Sequence, residues 1–244
     1  NSQFYIIADV LDTEDENVDQ LNEVTYFDAV DHPGMFKTMN DVFSQVENPV
    51  DVLYDEWEKN AEHSHVLFVD NQNTSRFAYN FGINGRNDIT AWKLALTYMY
   101  TTPGVPSIYQ GSELSMSGEG FPENQYLVLF NNANPDLEEV YEKISALRSE
   151  FLPVFVHGDF ERVGSDGAMS LFKRTYEDES IYIAINNDSV SRVVSVTGID
   201  SDKQLRGVLG DNLVRQSEDG EFKVGIERES AEARPLSDLA REEG

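Results

Sequence analysis

Cysteine is absent from the 244 residues. That excludes disulfides, thiolate metal sites and cysteine nucleophiles, and it fits either a reducing cytosol or the exterior of a Gram-positive cell. Basic residues are scarce, 18 Lys and Arg against 45 Asp and Glu, for a formal net charge of -27. Such a surface repels phosphate backbones and anionic membranes, so nucleic acid is excluded as a partner while a neutral ligand stays compatible. It also suits solubility in high salt or at the cell surface; the expected location is extracellular or cell-surface, with the cytoplasm as the alternative. No apolar run reaches the ~18 residues of a membrane span, and no basic region opens the chain as in a signal peptide. Hydrophobic residues still make up 40% and aromatics 11%, enough for a packed core rather than a disordered chain.

Residues Phe4 to Val10 (FYIIADV) form a buried-type apolar run at the very start, as if the chain had been cut just before a strand. A polar, acidic stretch from Leu11 to Asn22 leads to a second β-rich run, Val24 to Val30, ended by the breaker His32-Pro33-Gly34. Met35, Phe36, Met39, Val42, Phe43 and Val46 then recur at helical spacing. A further helical segment around Val52 to Lys59 precedes the strand Val66 to Val69 and the polar loop Asp70 to Ser75. Asp88 or Thr90 can cap a helix carrying Trp92, Leu94, Ala95, Tyr98 and Met99, which Pro103-Gly104 ends before the apolar run Val105 to Tyr109. One more amphipathic helix, Leu137 to Leu147, starts at Asn134-Pro135 with acidic residues in its first turn.

Strands alternating with helices predict βαβ units and a parallel sheet. From about Val154 the pattern changes to short β-rich runs: Phe160 to Val163, Met169 to Tyr176, Ile181 to Asn186, Val193 to Val196 and Phe222 to Ile226. The turn signals Ser165-Asp166-Gly167, Glu177-Asp178-Glu179 and Glu218-Asp219-Gly220 separate them, which suits the hairpins of an antiparallel sandwich. The expected division is residues 1–151, residues 152–234 and a frayed polar tail over 235–244, the tail's character beginning at Ala231, with Pro235-Leu236 as a place where it can pack locally.

The stretch Leu67 to Phe77 (LFVDNQNTSRF), the helix ALTYMYTTPG and then VPSIYQGSE at Val105 to Glu113 together resemble the seventh and eighth barrel strands of the α-amylase superfamily. In that family the seventh strand ends in Phe-x-x-Asn-His-Asp, often followed by Arg, and the eighth reads roughly Gly-x-Pro-x-Ile-Tyr-x-Gly-x-Glu. Gly104, Pro106, Ile108, Tyr109, Gly111 and Glu113 fit the latter. Tyr5 to Val10 is similar to the fifth strand, and the trailing β-rich part to the family's C-terminal domain. The resemblance implies the C-terminal half of a (β/α)8 TIM barrel, strands five to eight, followed by an all-β antiparallel sandwich. It places four barrel strands outside this chain.

Retaining glycoside hydrolysis needs a carboxylic acid to protonate the leaving oxygen and a carboxylate to attack the anomeric carbon, and barrel active sites lie at the C-terminal ends of strands. On the family pattern the acid/base Glu falls on Asp9, one methylene shorter, and geometry of this kind is sensitive to a misplacement of about 1 Å. The stabilising Asp falls on Asn73 and the His on Gln72, two neutral amides that hydrogen-bond sugar hydroxyls but bring no charge to an oxocarbenium-like transition state. Asn71 and Arg76 match, and the resemblance implies that Arg76 steadies a nucleophilic Asp on the absent fourth strand. Read without the family, Asp9 is a solvated strand end, Asn71 to Asn73 an ordinary polar loop and Arg76 a surface ion-pair partner.

Two functions follow. One is α-glucan hydrolysis or transglycosylation, impaired by the three substitutions; the other is a non-catalytic relative that binds carbohydrate or protein. An α-glucan or oligosaccharide is the expected ligand. The isolated chain is expected to be inactive, with the N-terminal half of the barrel or a second copy covering its open sheet edges. No cofactor is read from the residues. Calcium stays open for a full-length protein because the family's usual ligands lie mainly outside the chain. His32, His63, His65 and His157 lack zinc spacing, and Asp12 to Asp19 and Asp136 to Glu142 lack the EF-hand ligand order and read as solvated faces. Trp57 and Trp92 read as core, and a Tyr or Phe between Ser115 and Tyr126 as a sugar-stacking ring.

Overall fold

The structure is a computed structural model that describes residues 4–10, 27–59, 61–86, 88–130, 133–197, 203–207, 209, 214–216 and 221–238. The acidic stretch Leu11 to Asn22, the first residues of the Val24 to Val30 run and the Glu218-Asp219-Gly220 turn lie outside them.

Four parallel strands come first: β1 (Ile7–Ala8), β2 (Ala29–Asp31), β3 (His65–Leu67) and β4 (Val105–Pro106), paired in that order. The second strand sits later than the apolar run predicts. Phe27 and Asp28 precede it, and Asp28 Oδ2 accepts from the Ile6 amide at 2.7 Å, tying the two strand starts together. Helix α1 (Pro33–Phe43) begins inside the expected breaker, with Pro33 in its first turn. A proline there loses nothing, because the first-turn amides have no intrahelical acceptor. His32 caps the helix, its Nδ1 accepting from the Met35 amide at 3.1 Å. Helix α2 (Val52–Glu58) follows, and then α3 (Phe77–Ile83), a stretch to which the sequence alone assigns no element.

Helix α4 (Asp88–Thr101) is buried on several faces: Ala91, Trp92, Leu94, Ala95, Leu96, Tyr98 and Met99 have no solvent exposure. It lies between the parallel sheet and the second half of the chain, which explains why apolar residues surround it instead of forming one stripe. Gly104 follows it with φ +133°, and a Cβ there would meet His65 O at 2.9 Å, so only glycine lets β4 approach β3 this closely. Helix α5 (Pro135–Glu150) starts as expected, the Asn134 side chain accepting from the Asp136 and Leu137 amides. The acidic run on it is a solvated face, with Glu139 paired to Lys143 at 2.6 Å.

After α6 (Leu152–His157) come β5 (Asp159–Asp166), β6 (Met169–Tyr176), β7 (Glu179–Asn186), β8 (Arg192–Thr197), β9 (Lys203–Arg206), β10 (Val214–Gln216), β11 (Glu221–Ile226) and β12 (Ser230–Asp238). They form a six-stranded antiparallel sheet ordered β10-β9-β12-β7-β6-β5 and a two-stranded sheet of β11 and β8. Met169, Leu171, Tyr182, Ala184, Val194, Val196, Leu205, Phe222 and Ile226 fill the space between the sheets. The other face of the large sheet joins the helical core: Phe160, Phe172, Ile181, Ile183 and Ile185 share one cluster with Leu53, Trp92 and Tyr98. Buried Arg174 fastens the junction, donating to the carbonyls of Thr101, Val154, Phe155, Gly158 and Asp159 at 2.8 to 3.1 Å.

The expected frayed tail is corrected by β12. This strand lies between β9 and β7, with Ala231 and Ala233 fully buried and pairing that continues through Asp238. Its charges misled the reading: Glu232 and Arg234 are buried as an ion pair, with Arg234 Nε 2.9 Å from Glu232 Oε2. Pairing lets a charged run occupy a sheet interior that its composition would exclude.

Candidate active site

Because the four strands are parallel, their carboxyl ends emerge on one side of the sheet. There a cleft of about 430 Å³ is lined by Asp9, Asp31, Asp70, Asn71, Gln72 and Tyr109, over a floor that includes Val66, Phe68 and Ile108. A second hollow, of about 340 Å³, lies between α4, α5 and β12. It is lined by the charges Lys93, Asp136, Glu139 and Lys143, of which Glu139 and Lys143 pair with each other; the cleft at the strand ends, which gathers three carboxyls, is the candidate site.

The loop after β3 is fixed from both sides. From below, Asn40 on α1 donates to Val69 O at 2.9 Å and accepts from Asn80 at 2.7 Å, which in turn takes a hydrogen bond from Ser75. From above, the segment after β4 folds back: Asn124 Nδ2 donates to the carbonyls of Gln72 and Thr74 at 3.0 and 2.9 Å, and Gln125 also reaches Gln72 O. Gly111 makes the return turn with φ +91°, where a Cβ would meet Met116 Sδ at 2.5 Å. Asn71 closes the loop on itself, its Oδ1 accepting from the Asn73 amide at 2.8 Å.

Asp9, Asn71 and Gln72 therefore meet in the cleft. Gln72 Nε2 donates to Asp9 Oδ2 at 2.9 Å. Asn73 is exposed and is not among the residues that line it. Arg76 is 1% exposed and faces no carboxylate directly. It donates to Asn124 O, Gln110 O and Ser112 Oγ, and its guanidinium stacks over the Tyr109 ring at 4.0 Å. The expected surface ion-pair alternative for Arg76 is thereby corrected, since the side chain is a buried strut between two site loops.

Two carboxyls escaped the sequence reading. Asp70 is 2% exposed, accepting from Ser112 Oγ at 2.7 Å and from the Phe77 amide at 3.1 Å. Burial raises its pKa, against the lowering pull of those hydrogen bonds and of Arg76. Asp31, 8% exposed at the end of β2, is pushed up to about 7 by burial and then by the charge of Asp9 and a hydrogen bond to it; the Val10 backbone opposes this. The available signal was an Asp closing each of two apolar strands. His32 and His65, buried away from the cleft lining, have ring centroids 4.4 Å apart; burial and then His65 push His32 down to about 3. Among the described residues, no group of three or more His, Asp or Glu side chains is placed to hold a metal ion, and no helix is long and apolar enough to cross a membrane.

Residues 19–154 match the family described as alpha amylase, catalytic domain, and residues 158–233 the alpha-amylase C-terminal domain. The chain belongs to the α-amylase family. Among α-amylase relatives, it is 30% identical over 162 residues to the cyclomaltodextrin glucanotransferase of Geobacillus stearothermophilus, covering 64% of this chain and 22% of that protein. It is 27% identical over 119 residues to a Thermoanaerobacter pseudethanolicus cyclomaltodextrinase, covering 48% of this chain and 21% of that one. Among solved structures it superposes on an Anoxybacillus α-amylase with a TM-score of 0.91 and 32% identity, over 98% of this chain and 53% of that one. The Geobacillus thermoleovorans α-amylase complexed with acarbose gives 0.91 and 29%, over 98% and 55%. The chain thus spans about a fifth of those curated relatives and about half of those solved structures. The parallel strands are the barrel part of this α-amylase fold and the two antiparallel sheets its C-terminal β-domain.

Proposed function

We propose that the protein is an α-glucan-active member of the α-amylase family whose catalysis is slowed by substitutions at the barrel mouth. Asp9 stands where the family's acid/base Glu is expected, Asn73 replaces the stabilising Asp, and Asn71, Gln72 and Arg76 shape or support the sugar site. The observation that carries this reading is the Gln72 to Asp9 hydrogen bond at 2.9 Å inside a cleft at the carboxyl ends of the strands. It holds one carboxylate toward the space where a glycosidic oxygen would lie. Phe121 and Tyr126, both exposed on the segment that clamps the Gln72 loop, offer apolar ring faces for sugar stacking. Charge development at the anomeric carbon is less well compensated by neutral Asn73 than by a carboxylate.

The test is turnover of maltooligosaccharides and starch by the protein at its native length, beside Asp9→Glu, Asp9→Asn and Asn73→Asp. Slow turnover that Asp9→Asn abolishes and Asp9→Glu raises supports the proposal. A second reading, a non-catalytic carbohydrate-binding scaffold, draws on the exposed position of Asn73 outside the cleft lining. Acarbose binding with no turnover in any of the four proteins would favour it.

A further inference from the structure

We propose that Asp31 and Asp9 form a carboxylic acid and carboxylate pair that holds one proton between them, with Asp31 the positioning residue that governs the protonation of Asp9. The inference rests in part on the reading of Asp9 as the acid/base. Its structural basis is separate. Parallel pairing sets Ala8 against Val30, so the next residue but one along β2 from Ala29 and the residue after Ala8 on β1 leave the sheet side by side, on strands about 5 Å apart. One carboxyl is buried and the other exposed in the same cleft. Two carboxylates at this separation repel, and a hydrogen bond between them requires that one be protonated.

The surroundings do not quench the pair. Gln72 contributes a neutral donor to Asp9 Oδ2. Asp70, from the end of β3, has its carboxyl oxygens engaged by Ser112 and the Phe77 amide. The Tyr109 ring, beyond β4, lies under the Arg76 guanidinium, and among the described residues no Lys or Arg lines the cleft. The upward push on Asp31 from burial and from Asp9 agrees with this arrangement. In glycoside cleavage the one shared proton would pass through Asp9 to the leaving oxygen as the C–O bond breaks, which leaves both carboxylates ionised. The pair loses one proton in all, and the water that completes hydrolysis returns it.

Carbon-13 NMR titration of the protein at its native length, labelled at aspartate carboxyls, tests the pair directly. One aspartate should titrate near neutral pH, vanish in Asp31→Asn, and titrate lower in Asp9→Asn, whose exposed site leaves folding least disturbed. No aspartate titrating above about pH 5.5, or a titration that Asp9→Asn leaves unchanged, would overturn the pair. With α-glucan as substrate, Asp31→Asn should move the alkaline limb of kcat/KM to lower pH, whereas loss of packing alone would lower activity at every pH. An unmoved limb overturns the positioning role. A near-neutral titration in a protein without turnover at any pH would leave the pair standing and sink the hydrolytic reading instead.

Discussion

Gln72 spends its side-chain amide on Asp9, 2.9 Å away, and its backbone carbonyl on Asn124 and Gln125. The carboxylate on one strand is thereby linked to a clamp that lies more than a hundred residues further along the chain. The clamp orders the loop, and the loop aims the amide. Replacing Gln72 by Ala keeps the backbone contacts and removes only the donor to Asp9. Turnover of maltooligosaccharides should fall on the order of tenfold, the scale of a neutral hydrogen bond of about 1.4 kcal/mol, with thermal stability nearly unchanged. Steady-state kinetics beside a melting curve separates the two effects.

Arg76 is the residue whose loss should be felt most broadly. Arg76→Ala leaves the carbonyls of Gln110 and Asn124 without this donor, empties the face of Tyr109 and removes the cation nearest Asp70. A loss of about 3 kcal/mol or more is expected, because each buried group left unsatisfied costs about 1 to 3 kcal/mol. Arg76→Lys should recover only part of it, since an ammonium has no planar fork to stack and bond at once. Urea unfolding of the three proteins gives the comparison.

Asp31 should leave a mark on stability as well as on catalysis. The unfolded chain releases its proton near pH 4, while the folded protein keeps it to about 7. Between those values the folded state binds more protons, so stability falls as pH rises. The isosteric Asp31→Asn lacks that fall. Melting temperatures of both proteins across pH 4 to 8 should therefore diverge in favour of the variant, and the difference cancels the general repulsion from the net charge of -27. Parallel curves would contradict the expectation.

Truncation tests the last strand. Ending the chain after Glu229 removes β12 from between β9 and β7 and takes Ala231 and Ala233 out of the core shared with the helices. The product should be insoluble or lose cooperative unfolding, although the run from Ala231 reads as a frayed polar tail. Arg234→Met, which breaks the buried Arg234–Glu232 ion pair, should cost about 3 to 5 kcal/mol by denaturant unfolding.

What could be read from the sequence follows the range of the forces involved. The apolar runs before Asp9, around Val66 and before Tyr109 marked three of the parallel strands, and helix starts at Asn134-Pro135 were plain from local capping chemistry. The short helix Phe77–Ile83 was hidden because Asp70, seven residues earlier, accepts the hydrogen bond from its first amide. Asn71, Gln72 and Asn73 are consecutive, yet only the first two line the cleft, because Asn71 bends the chain back onto its own side chain.

The sequence alone therefore determined the alternation of the parallel strands with most of the longer helices, the change from an alternating to an all-β half, and the motifs that ally the chain with α-amylases. These depend on residues close together along the chain. Tertiary structure alone decided that Asp31 lies beside Asp9, that Arg76 is a buried strut, and that the charged run at Ser230–Asp238 is an inner strand. Each of those outcomes depends on strand register and on partners dozens of residues away, which local pattern does not encode.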